Sequence, residues 1–226
     1  MRSRCAMPGL FITLEGADGA GKTTQGALLA QAFRKLGFSV VETREPGGTP
    51  VSEAARRVLL DPSLTGMAPM AEVFLYAAAR AQLVTEVIQP ALAAGAVVIC
   101  DRFIDSTLAY QGFGRGLPME RLEAINRMAT EGLTPDLTLL LDIDTEEGLQ
   151  RARRRPEQAE WQGADRMERE AAAFHQRVRR GFLELAKKEP ERVRRIPAGG
   201  AVAEVHCRLI DAARALAPSL PYCQEE

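Results

Sequence analysis

Short apolar runs alternate with stretches of helical period along this chain. Leu10–Leu14, Phe38–Thr43, Ala96–Asp101, Leu137–Asp142 and Arg192–Ile196 read as strands. Between them, Lys22–Leu36, Val51–Leu60, Pro69–Ala94, Pro118–Gly132 and Thr145–Arg155 read as helices. A long helix running from about Asp165 to Lys188 and a last one over Val202–Ala217 complete the set. The cluster Arg44-Glu45-Pro46-Gly47-Gly48-Thr49-Pro50 must be a loop. Strands that are apolar on both sides, each followed by a helix, imply a parallel sheet covered on both faces, an α/β fold. Ligands then belong at the carboxyl ends of the strands. Neither a repeat nor a linker interrupts the pattern, so residues 1–226 are expected to form a single domain, with residues 1–8 disordered.

The first strand leads into Glu15-Gly16-Ala17-Asp18-Gly19-Ala20-Gly21-Lys22-Thr23-Thr24, and an apolar-faced helix follows. Gly16, Gly21, Lys22 and Thr23 fill the pattern G-x-x-x-x-G-K-[ST], in the strand–loop–helix context that makes it a phosphate cradle. Backbone N–H groups of the loop and the helix dipole favour an anion there. The ATP-binding set is therefore Gly16, Ala17, Asp18, Gly19, Ala20, Gly21, Lys22, Thr23 and Thr24, with Lys22 on the β- and γ-phosphates and Thr23 on Mg²⁺. Val97–Asp101 ends a strand in a carboxylate, which makes Asp101 the second candidate Mg²⁺ ligand. The fold class that follows is the P-loop NTPase three-layer fold, a five-stranded parallel sheet with helices on both faces.

A net charge of −1 gives no global sign of a nucleic acid or acidic membrane partner. Cys5, Cys100, Cys207 and Cys223 lie far apart, without metal-ligand or disulfide spacing, which suits a cytoplasmic protein. Residues 1–8 lack the apolar core of a secretory signal, and Met7 is an alternative start. No run approaches the ~20 apolar residues of a membrane helix.

A phosphate loop alone leaves many enzymes open. The guanine-reading N-K-x-D and the L-S-G-G-Q signature are both absent from this sequence. Arg102 directly follows the candidate metal carboxylate, and a cation there suits a second substrate that is itself a phosphate. Tyr76 and Arg80, four apart, share a helix face. On spacing alone the pair could equally be an amphipathic helix with an arginine reaching for water.

From Phe11 to about Leu185 the chain resembles the bacterial thymidylate kinases. The marks are Glu15–Thr24, Arg44-Glu45-Pro46-Gly47-Gly48-Thr49, Tyr76-Ala77-Ala78-Ala79-Arg80-Ala81-Gln82, Asp101–Gly112, Pro135-Asp136-Leu137-Thr138 and Asp165-Arg166. The resemblance implies transfer of the γ-phosphoryl group of ATP to dTMP, with Mg²⁺, in a homodimer. It implies a dTMP site made by Asp18, Arg56, Tyr76, Arg80, Arg102, Thr107, Tyr110 and Gln111. In that set Tyr76, where phenylalanine is more usual, stacks on thymine and Arg80 bonds its O4. Arg102 and Arg56 clamp the acceptor phosphate, with Arg44 a weaker candidate and Arg57 left on the surface. Thr107 and Gln111 meet the base edge or the sugar, Tyr110 crowds the 2′ position, and Asp18 takes the sugar 3′-OH. Glu15 is expected to support the metal ligands from behind or to bind a metal-bound water. The resemblance also implies a lid over about 151–167. With Gly19 in the loop, the chain is similar to the class whose lid supplies a catalytic arginine: Arg153, with Arg151 and Arg155 as alternatives and Arg166 as a possible partner. The catalytic set is thus Lys22, Arg102, Arg153 and Asp18. The alternatives are another nucleoside monophosphate kinase and a regulatory module that binds ATP without transferring phosphate.

Overall fold

The computed structural model describes residues 9–153 and 164–220, the side chain of Arg153 excepted. The expectation of disorder at residues 1–8 and the middle of the expected lid lie outside the described residues.

Five parallel strands form one sheet: β1 (Leu10–Glu15), β2 (Val40–Arg44), β3 (Val97–Asp101), β4 (Leu137–Asp142) and β5 (Val193–Pro197). Their order is β2-β3-β1-β4-β5, so β1 lies in the middle. Side chains alternate between the sheet's faces. Ile12, Leu14, Val97, Ile99, Leu139 and Leu141 pack on one face against α1 (Lys22–Lys35) and α9 (Val202–Ala213), through Leu29, Phe33, Val205 and Leu209. On the other face Phe11, Val98 and Cys100 pack against α3 (Pro69–Leu83) and the turn after it, through Leu83, Val84 and Ile88. Leu140 and Val193 pack on α8 (Ala172–Lys188) through Phe174, Val178 and Phe182. Burial on both faces is why these strands read as continuous apolar runs. The two edge strands are the exceptions: only partly covered, β2 carries Glu42 and β5 carries Arg194 and Arg195.

Helix starts follow local chemistry. Thr49 caps α2 (Pro50–Leu60) by accepting from Ser52 N at 3.1 Å, with Pro50 at the first helical position. The helix expected over Pro69–Ala94 is one rod with a flaw in it: α3, a π-helical turn over Val84–Ile88, then α4 (Gln89–Ala93). Pro90 is the reason. It has no N–H, its ring would meet the carbonyl of residue 86 in a regular helix, and a wider turn relieves both. A second π-helical turn, Leu108–Gly114, follows the short α5 (Ile104–Thr107). α6 (Met119–Thr130) and α7 (Thr145–Arg153) flank β4 in sequence. α8 begins at Ala172 rather than near Asp165, because the Asp165 carboxylate accepts from Met167 N and Glu168 N and closes a turn there. α9 stops at Ala213, short of the expected Ala217, since Pro218 disfavours helical geometry just before it.

Candidate active site

Strand register brings the reactive groups together. β1 and β3 pair with Leu14 opposite Asp101, which sets the carboxylate beside the loop that leaves β1. The loop closes on Gly21, whose φ of 91° is open to glycine and strained for other residues. Lys22 is buried, and its Nζ donates to the carbonyls of Gly16 at 3.1 Å and Ala17 at 2.9 Å. Burial, with Arg102 nearby, lowers its ammonium to about 8 against the pull of Asp101 and Asp18. The Thr23 hydroxyl donates to Asp101 Oδ2 at 2.9 Å.

At the loop crest two backbones touch. A Cβ on Gly19 would meet the carbonyl oxygen of Gly148 in α7, and a Cβ on Gly148 would meet the carbonyl oxygen of Asp18 at 2.8 Å. Both positions are glycine because the loop and α7 pack main chain to main chain, and no side chain fits at residue 19 in this arrangement.

Arg102 leaves β3 in a left-handed conformation, φ 73°. Its Nη1 donates to Gly16 O at 3.0 Å and Ser106 Oγ at 3.3 Å, and its Nη2 to Asp18 Oδ1 at 2.6 Å. The guanidinium also lies 5.1 Å from the centre of the Tyr110 ring, and the Tyr110 hydroxyl donates to Asp18 Oδ2 at 3.4 Å. Burial alone would raise the Asp18 carboxyl, yet Arg102 and Lys22 bring it down to about 2. Asp18 thus stands where an anion would otherwise balance Arg102.

These groups border a cavity of about 500 Å³ that also receives Arg44, Glu45, Arg56, Tyr76, Arg80, Thr107, Asp165 and Glu168. Tyr76 and Arg80 do share the face that reaches it. Arg56 borders it too, donating from Nη1 to Pro46 O at 3.1 Å. Arg44 is bound by Glu53 at 2.9 Å, and Arg57 is exposed, as expected.

Three placements differ from expectation. Arg80 is almost wholly buried and each of its five N–H groups is engaged. Nε and Nη2 grip Glu45, Nη2 also meets Phe103 O, and Nη1 donates to Thr107 Oγ1 at 3.0 Å and Asn126 Oδ1 at 2.6 Å. A base carbonyl reaches Arg80 only by displacing one of these partners. Gln111 does not border the cavity. It is buried and donates to Glu72 Oε1 at 2.8 Å, drawn by a carboxylate that also holds Arg115 and Arg166. Glu15 has no exposed surface and turns from the loop toward the chain after β3: it accepts from Phe103 N, Ser106 N and Ser106 Oγ.

Within the stretch expected as a lid, Arg151 is held by Glu147 at 2.5 Å and Ala198 O at 3.3 Å. Arg166, near its end, donates to Leu59 O at 2.7 Å and pairs with Glu72 at 2.7 Å. The side chain of Arg153, and all of Arg155, lie outside the described residues. Glu45, Ser106, Asp165 and Glu168 are site residues that sequence reasoning missed. Glu45, Ser106 and Asp165 lay inside the quoted blocks without a role of their own, and nothing in the sequence pointed to Glu168.

Among the described residues no three His, Cys, Asp or Glu side chains converge as a metal cage. The Thr23–Asp101 pair fits a Mg²⁺ ion that takes most of its ligands from phosphates and water. A larger groove, about 680 Å³, lies between α8 and β5, away from the loop. Its Arg179 and Arg195 both pair with Asp142.

Comparison with known proteins agrees with this geometry. A family model described as Thymidylate kinase matches residues 14–209. The chain is 52% identical over 197 residues to a thymidylate kinase of Pelobacter propionicus, covering 87% of this chain and 90% of that one. It is 54% identical over 202 residues to one of Synechococcus sp. (strain JA-3-3Ab), covering 88% and 93%. The crystal structure of thymidylate kinase from Ehrlichia chaffeensis superposes with a TM-score of 0.72 at 35% identity, covering 91% of this chain and 98% of that one.

Proposed function

The chain belongs to the thymidylate kinase family, and on that premise we propose how its own residues divide the work. It is an ATP-dependent dTMP kinase: the γ-phosphoryl group of ATP passes to dTMP, giving dTDP and ADP. The observation that carries the residue reading is that three cations, Lys22, Arg102 and Arg56, border one cavity.

Loop N–H groups over Gly16–Thr24 and Lys22 bind the β- and γ-phosphates of ATP. Thr23 and Asp101 hold a Mg²⁺ ion, which when bound neutralises charge on the phosphates. Arg102 and Arg56 clamp the dTMP phosphate. Its anionic oxygen attacks the γ-phosphorus, the bond to the β,γ-bridging oxygen breaks, and ADP leaves. The acceptor is already ionised, so no general base is needed. His175, on α8, is buried and its imidazolium is disfavoured by that burial.

Tyr76 stacks on thymine, Thr107 meets the base edge, and Tyr110 crowds the 2′ position of the sugar. Asp18 accepts from the 3′-OH. Arg80 acts here chiefly by holding Thr107 and Glu45 in place, and Gln111 by way of Glu72. Arg153 is our first choice for the cation that reaches the transferring group when the lid closes, and closure excludes water. Two copies pair through the exposed apolar side chains of α2 and α3: Val51, Val58 and Phe74 are 55%, 42% and 58% exposed. A cytoplasmic location suits these substrates, and among the described residues no helix is long and apolar enough to cross a membrane.

The test is ADP release with Mg·ATP against dTMP, dUMP, the ribose analogue of dTMP, AMP, CMP, UMP and GMP. Turnover should be strongest with dTMP and weak with the ribose analogue. Equal turnover with the ribose form would remove Tyr110 from its place at the 2′ position.

A further inference from the structure

Glu15 lies beneath the turn that follows β3 and has no exposed surface. Its Oε1 accepts from the backbone N–H of Phe103 at 2.8 Å and of Ser106 at 3.1 Å. Its Oε2 accepts from the Ser106 hydroxyl at 2.6 Å. That hydroxyl has its proton committed to Glu15, so a lone pair is left for Arg102 Nη1, which donates to it at 3.3 Å. The other Nη1 contact is Gly16 O at 3.0 Å.

We propose that Glu15 is a positioning residue for the acceptor phosphate: through Ser106 it fixes one side of the Arg102 guanidinium and leaves the Asp18 side to exchange for phosphate.

Two features of the turn support this. Arg102 holds φ 73°, a left-handed conformation unfavourable for an L-residue, and Glu15 ties down the next N–H in the chain and the one at Ser106. A carboxylate is an acceptor only, so it dictates which way the Ser106 proton points. An amide of the same shape presents a donor instead. It would free the Ser106 proton to turn toward Arg102, so that a lone pair is no longer held on that side. Asp18, by contrast, borders the open cavity and is the natural partner to give way.

The inference rests on the reading of Arg102 as the phosphate clamp, and the test separates the two. Steady-state rates are measured for the wild type, Glu15→Gln, Ser106→Ala, the double variant and Arg102→Ala. dTMP and ATP are varied in turn at pH 8, above the value of about 7 to which burial pushes the Glu15 carboxyl. Glu15→Gln and Ser106→Ala should each raise KM for dTMP by about 10-fold, the scale of one charge-assisted hydrogen bond. KM for ATP should stay within about twofold and kcat within about threefold. The double variant should be no worse than either single one, since both break the same link.

Unchanged KM for dTMP in both single variants, with Arg102→Ala raising it, overturns the inference alone. Arg102→Ala without effect on that KM overturns the clamp reading. Losses shared equally by both substrates and kcat would show a merely structural role and also overturn the inference. If Glu15→Gln fails to fold, Ser106→Ala decides the matter by itself.

Discussion

Thr23 Oγ1 donates to Asp101 Oδ2 at 2.9 Å, joining the first turn of α1 to the end of β3 across 78 positions of sequence. The bond shows that the two Mg²⁺ candidates meet in space. Asp101→Asn keeps an oxygen for Thr23 and removes the charge. It should raise the Mg²⁺ concentration needed for half-maximal rate by about 10–100-fold or more. A Mg²⁺ titration of ADP release measures this, and an unchanged requirement would take Asp101 out of the metal site.

Lys22 carries the loop's mobile charge. Burial, with Arg102 beside it, lowers its ammonium to about 8 in the free enzyme. The protonated form binds phosphate, so kcat/KM for ATP should fall as pH rises through about 8. Lys22→Ala should lower kcat by about 10²–10³-fold, the usual loss for one preorganised donor. The variant should also lose the pH dependence near 8.

The Glu45–Arg80 pair is buried, with side chains 4% and 2% exposed. Glu45→Gln leaves Arg80 charged among neutral partners and should cost about 3–5 kcal/mol in urea unfolding. Breaking Arg34–Glu42, exposed at 47% and 39%, should cost less than about 1 kcal/mol. Equal losses would mean that water reaches Arg80.

Glu15 makes stability depend on pH. Burial, with Asp105 adding to it, raises its carboxyl from 4.5 to about 7. The folded chain therefore holds a proton that the unfolded chain has released between those values. This contribution is present in full below about pH 4.5 and is lost as pH rises through 7. It amounts to about 3 kcal/mol over that window, at 1.36 kcal/mol per pH unit. Denaturant unfolding at pH 5, 6 and 7.5 should show the wild type losing stability that Glu15→Gln retains.

Local features were legible in the sequence. The phosphate loop, the strand order of apolarity and the Tyr76/Arg80 face each depend on residues a few positions apart, and each stands as read. What was not legible depends on which distant elements the fold brings together. Arg80 finds Glu45 and Asn126, 35 and 46 positions away, and with Thr107 and Phe103 O they saturate it. Gln111 was expected at the base edge or the sugar, but Glu72, 39 positions earlier, captures it. Glu15 resembled a metal-site acid because it ends β1 beside the loop. Only the path of the chain after Arg102 shows that it faces inward. Pro90 was visible and its effect was missed, because a single widened turn absorbs it without ending the rod.

The touching backbones of Gly19 and Gly148 tie two positions 129 residues apart into one heritable unit. A phosphate loop grafted from a relative with a side chain at the first position would collide with this protein's α7. It would need a matching change of the second segment, with a different seat for the lid. Neither position is free to vary by itself, so a chimaera cut between them should fail when the other parent brings a side chain to either one.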